Sequence, residues 1–132
     1  MQTITDMQTA DYEATVSQAA RNFAVALVET PQFLAFEQAA EALQRDALAR
    51  QIINDYQSKQ QSLYMMSMLG AVSPEDQAEI ARLQQALRTN ETIAAYTRCQ
   101  ADLVTLCQET GRRLSERIGL DFAAACGASC CG

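Results

Sequence analysis

The 132-residue chain contains no histidine and no tryptophan, only two prolines and five glycines, and just eight aromatic residues, four Tyr and four Phe. The missing histidine excludes Ser-His-Asp and Cys-His nucleophiles, imidazole acid/base catalysis and any zinc site with an imidazole ligand built from this chain alone. What chemistry remains available belongs to carboxylates and thiolates. Basic residues are also scarce, 10 against 16 acidic, for a net charge of -6 and a pI near 4.5. That balance argues against a nucleic-acid footprint, which needs Lys and Arg clustered on one face. No apolar run approaches the roughly 18 to 20 residues of a membrane-spanning helix, and the start, MQTITDMQTADYE, has neither the basic nor the apolar region of a secretory signal. The expectation is a cytoplasmic protein without a membrane partner. In a reducing compartment, five cysteines point to free thiols or metal ligands, and an odd number leaves one outside any disulfide framework.

What is present is helix grammar. A hydrophobic fraction of 48%, frequent Ala and Gln, and few breakers predict an all-α fold with one core, since a chain of this size buries about two-thirds of its extended surface. Tyr12, Val16, Ala19, Phe23, Ala26 and Leu27 recur at spacings of three and four and predict a helix over about 10–29, with Thr9 or Asp11 as its cap. Thr30-Pro31 reads as an N-cap followed by proline at the first helical position, opening a short helix with Phe33, Phe36, Ala40 and Leu43 on its apolar stripe. Asp46 caps a third helix running to Gly70 through Leu48, Ile52, Tyr56, Leu63 and Met66. Ser73-Pro74-Glu75-Asp76 is the strongest start signal in the chain and opens a fourth helix with Ile80, Leu83 and Leu87. Asn90 caps a fifth, carrying Ile93, Tyr96, Leu103, Cys107, Leu114 and Ile118 and ending at Gly119. A domain over 1–119 is followed by a flexible tail over 120–132, with a further helical turn at Asp121 to Ala125. No repeat at a solenoid period occurs.

The bundle of about five helices contains two long ones, the third and the fifth, each about as long as the diameter of a compact chain of this size. Their apolar stripes overhang a monomer, which predicts a homo-oligomer, dimer or tetramer, formed through the long helices.

The tail holds the one constellation with chemical potential, Cys126-x3-Cys130-Cys131. Three thiols separated by Gly127, Ala128 and Ser129 can converge on a soft ion, with an iron-sulfur cluster and structural zinc both open. Cys126, Cys130 and Cys131 are therefore the candidate metal and cofactor ligands, with a [4Fe-4S] cluster requiring a fourth ligand from Cys99, Cys107, a second subunit, another protein or an exogenous ligand. Inert tail thiols are the competing reading, as is disulfide exchange or metal transfer by a small thiol-redox protein. Cys99 and Cys107 read as buried packing residues. The i,i+4 pairs Glu37-Glu41 and Glu75-Glu79 lack the Glu-x-x-His partner of a di-iron bundle and read as solvated faces. Arg112, Arg113 and Arg117 complement the negative end of the fifth helix, and Met65, Met66, Met68 and Leu69 read first as core and second as an adaptable contact surface.

With the segments placed, Ala26-Leu27-Val28-Glu29-Thr30-Pro31-Gln32-Phe33 before Phe36, then Leu43-Gln44-Arg45-Asp46-Ala47, Ile52-Ile53, Tyr56-Gln57 and Asn90-Glu91-x-Ile93-x-x-Tyr96 resemble the YlbF/YmcA family of small helical bacterial proteins. The resemblance runs over about 19–118. It implies a non-enzymatic regulatory or adaptor subunit that oligomerises through long helices and works with other protein subunits. It also implies a link to competence, sporulation, biofilm and RNA-processing control, and, in members ending in cysteines, an iron-sulfur cluster at the positions of Cys126, Cys130 and Cys131.

Overall fold

A computed structural model of the chain describes residues 4–127, and these form six helices with no strand among them. They are α1 (Ile4–Val28), α2 (Pro31–Arg45), α3 (Ala47–Met68), α4 (Pro74–Thr89), α5 (Glu91–Ile118) and α6 (Phe122–Cys126). The chain is all-α, as its composition predicts. Cys130 and Cys131 lie outside the described residues.

Each boundary is chemically determined. Thr30 accepts a hydrogen bond from the Phe33 amide at 3.2 Å while its hydroxyl donates to the Leu27 carbonyl at 2.7 Å, so one side chain joins the end of α1 to the start of α2. Asp46 closes α2 with its backbone and opens α3 by accepting from the Ala49 amide at 3.0 Å. At the start of α4, Ser73 and Asp76 form a reciprocal capping box: the Asp76 amide donates to the serine hydroxyl at 3.2 Å, and the Ser73 amide donates to the Asp76 carboxylate at 3.2 Å. Asn90 caps α5 by accepting from the Ile93 amide, and Gly119 ends it in the left-handed region at φ 75°, where a Cβ would be strained.

The expected start of α1 near residue 10 is corrected to Ile4, which places Thr9 and Asp11 inside the helix rather than at its cap. Nothing between residues 4 and 28 breaks a helix, since there is neither proline nor glycine in that stretch, and capping-type residues in mid-helix are tolerated when solvent surrounds them.

Helices α2 to α5 form the bundle. Helix α2 packs most extensively on α5, with Phe36 and Tyr96 in ring contact at 5.4 Å, and α3 pairs with α4. The core is small: Ala39, Ala49, Leu83 and Ile93 are the buried hydrophobic side chains, one from each of these four helices. Two polar ties cross between helices. Thr92 at the start of α5 donates to Asp46 at 2.7 Å, so the residue that joins α2 to α3 also holds α5. Lys59, the chain's only lysine, reaches from α3 to Asp76 at 2.7 Å and Glu79 at 3.1 Å on α4. The Lys59 ammonium, then Ser73, hold the Asp76 carboxyl down to about 2, and the same two carboxylates push Lys59 above its ordinary value. Glu79, exposed as its solvated-face reading expects, also braces the α3–α4 pair.

Helix α1 stands apart. It is 25 residues long, about 37 Å at helical rise. It packs against α2, and every side chain from Met7 to Ala26 is exposed.

Candidate functional site

The tail thiols are delivered by the far end of α5. After Gly119 the chain turns, Asp121 caps α6 by accepting from the Ala124 amide, and the Phe122 amide donates to the Ser115 hydroxyl at 3.0 Å, which pins α6 to the last turns of α5. Cys126 is the last residue of α6 and is exposed, and Gly127 follows it at φ 76°. Among the described residues, no group of three or more Cys, Asp or Glu side chains converges to hold a metal ion. The described part of the chain therefore holds one of the three tail thiols, Cys126. Its partners Cys130 and Cys131 fall outside the described residues.

The other two thiols are not the buried packing residues that their helical spacing suggests. Cys99 is half-buried and Cys107 is exposed, although Cys107 continues the stripe of Ile93, Tyr96 and Leu103 along α5.

The arginines near the end of α5 are engaged with their neighbours. Arg112 pairs with Glu109 at 2.6 Å and with Glu116, and Arg113 pairs with Glu109 at 3.1 Å. The two guanidiniums, Arg112 first, hold the Glu109 carboxyl down to about 2. Charges neutralised within one helix make a poor anion site, and the dipole-complementing role falls to Arg117 in the last turn. Glu41 is likewise paired, with Arg45 one turn on.

Neither of two depressions among the described residues gathers these groups. One open depression runs along α1, lined by Thr9, Tyr12, Glu13, Val16 and Ser17 of that single helix. Another lies between α3 and α4 over Asp55, Lys59, Glu79 and Arg82, where Lys59 and Glu79 are already paired with one another.

The larger chemical feature is apolar. Tyr64, Met65, Met68 and Leu69 at the end of α3 are all exposed, with Leu69 at 81%, so the reading of Met65, Met68 and Leu69 as core is corrected. Met66 alone of the three methionines turns partly inward. Tyr12, Val16 and Phe23 on α1 and Val104, Leu114 and Ile118 on α5 are exposed as well. Helical periodicity identifies these faces in the sequence, but it carries no information on whether anything covers them. Val104 shows no such signal in the main stripe of α5 and is found only in the structure. No helix is long and apolar enough to cross a membrane among the described residues.

Comparison with known proteins adds one match and one absence. A family described as "Control of competence regulator ComK, YlbF/YmcA" matches residues 16–119. A search of curated proteins finds no match. The match takes in α2 to α5 whole and about half of α1, including the caps Thr30, Asp46, Ser73, Asn90 and Gly119. The chain belongs to the YlbF/YmcA family.

Proposed function

We propose that this protein is a non-enzymatic regulatory adaptor. In this reading its helical body assembles with a second copy and with other protein subunits, and its tail cysteines Cys126, Cys130 and Cys131 hold or share an iron-sulfur cluster. The family's description, control of a competence regulator, supports the regulatory part. The observation that carries the adaptor part is the apolar surface on α1, on the end of α3 and on α5, exposed in a chain whose core holds four buried hydrophobic side chains among the described residues. Large exposed apolar surface marks protein–protein contact. The histidine-free sequence, which leaves no place for imidazole catalysis, supports the non-enzymatic part.

The cluster part rests on the chemistry of the donors. Thiolates are the ligands of iron-sulfur clusters, and a tail supplying three of four calls for a fourth from Cys107, a second subunit or another protein. The test is a variant lacking residues 120–132 compared with the intact chain after anaerobic reconstitution with iron and sulfide. The intact chain should gain thiolate-to-iron charge-transfer absorbance. The truncated one should lose it while keeping its mass and thermal midpoint. An intact chain with no absorbance dependent on Cys126, Cys130 and Cys131 removes the cluster from the account and leaves the adaptor reading to stand on assembly alone.

A further inference from the structure

The chain carries two exposed rows of small and apolar residues that match one another. On α1 the row is Tyr12, Val16, Ala19, Phe23 and Ala26, with steps of four, three, four and three. On α5 a second row is Val104, Cys107, Gly111, Leu114 and Ile118, with steps of three, four, three and four, continuing the helix's apolar stripe into its C-terminal half. Both follow the heptad spacing of helices that pair side by side. Read backwards, the α5 row has the same steps as the α1 row. An antiparallel alignment therefore places all five positions of one opposite all five of the other, whereas a parallel one matches at most four. All five α1 side chains are exposed, as are four of the α5 residues, with Gly111 half-exposed.

Gly111 is the most telling member. It sits in mid-helix, where glycine costs about 0.5–1 kcal/mol relative to alanine, and a Cβ added there would meet nothing within 4 Å. The packing of this chain alone gives no reason for glycine at that position. A helix lying across it does, and in the antiparallel register the residue opposite Gly111 is Ala19, the small central member of the α1 row.

We propose that the occupant is a second copy of this chain, with the α1 arm of each copy lying antiparallel along this row of the other's α5, a reciprocal exchange closed by a two-fold axis. This rests on the reading that the helical body self-assembles, and it names the surfaces. The area agrees. The accessible surface is 10286 Å², about one and a half times the roughly 6,900 Å² expected of a compact 14.5 kDa monomer. The excess, about 3,400 Å² per chain, covers the roughly 1,000 to 2,500 Å² that each partner of a permanent dimer buries. The register also brings Glu13 to the level of Arg117, and Arg21 to the level of Glu109. With α1 and α5 joined through α2, one chain presents both halves of the contact, and an isologous dimer satisfies both at once.

The test uses full-length Phe23→Glu and Leu114→Glu, with mass from size-exclusion chromatography with light scattering and helicity from circular dichroism. Both residues are exposed, so helicity should match the parent. The parent should have twice the 14.5 kDa chain mass. Each variant alone should dissociate, with affinity weakened about a hundredfold. An equimolar mixture should recover part of the dimer, because one intact arm then meets one intact α5. A Leu114→Glu variant that stays dimeric while Phe23→Glu dissociates means that arms pair with arms, and overturns the exchange. The reverse result means that α5 pairs with α5, and overturns it equally. Two variants that both keep the parent's mass place the interface elsewhere. A monomeric parent refutes self-assembly itself, a different failure from either.

Discussion

Leu83→Ala tests the claim that the bundle depends on very few side chains. Leu83 is 4% exposed, and its companions in the core are Ala39, Ala49 and Ile93, two of them too small to compensate for a lost isobutyl group. Truncating a buried leucine costs about 2–5 kcal/mol, rising with the volume the site fails to refill. Helices α3 and α5 on either side of α4 are held by Lys59 and by the Asn90 turn, which limits collapse, so a value near 3 kcal/mol is expected. The unfolding entropy for a chain of 132 residues is about 280 cal/mol/K, which converts that loss into a fall in thermal midpoint of about 11 °C. It is also a large share of the 5–15 kcal/mol that typically separates folded from unfolded states. The assay is thermal unfolding followed by circular dichroism, with parent and variant at one protein concentration, because assembly makes the midpoint concentration-dependent. A fall of less than about 2 °C would refute the reasoning, since it would mean that stability resides outside the four-residue core.

Two further predictions address the ties around that core. Ser73→Ala removes the cap of α4 and should cost about 1 kcal/mol, a fall of about 4 °C by the same conversion, whereas Ser62→Ala, an exposed position on α3 whose hydroxyl makes a long 3.9 Å contact with the Met66 sulfur, should shift the midpoint by less than about 1 °C. Acid should destabilise the chain between about pH 4 and pH 2, because Asp76 and Glu109 titrate near 2 when folded and at 3.8 and 4.5 ordinarily. Stabilisation from such groups is complete above the ordinary value and disappears as pH falls through the folded one. Asp76→Asn should lower the midpoint near neutral pH and flatten part of that acid slope, and an unchanged slope would remove the Lys59–Asp76 pair from the account.

The helix boundaries are legible in the sequence because they are local chemistry. Thr30-Pro31, Asp46, Ser73 to Asp76, Asn90 and Gly119 each satisfy backbone groups within a few residues of themselves, and a reader of the chain sees both partners at once. The start of α1 is not legible, because Thr9 and Asp11 resemble caps and only the absence of a breaker upstream carries the helix past them. The polar ties are hidden for another reason. Thr92 and Asp46 are 46 residues apart, and Lys59 meets Asp76 across a turn, so neither pairing follows from periodicity. Exposure is the most consequential gap. The stripe that contains Cys107, Leu114 and Ile118 reads as a core face, and its apolar spacing is indeed that of a packed face. In the structure Cys107, Leu114 and Ile118 are nonetheless exposed. Of the candidate ligands, Cys126 lies at the end of α6 on the surface, where a shared site can reach it.

The central claim is that this chain is completed by contact with other protein, first of all with itself. The mass of the intact, untagged chain, measured by light scattering across micromolar concentrations, tests it most directly. The account predicts a species of at least twice the 14.5 kDa chain mass that persists on dilution through that range. A single species at 14.5 kDa, fully helical and stable on its own, would contradict it.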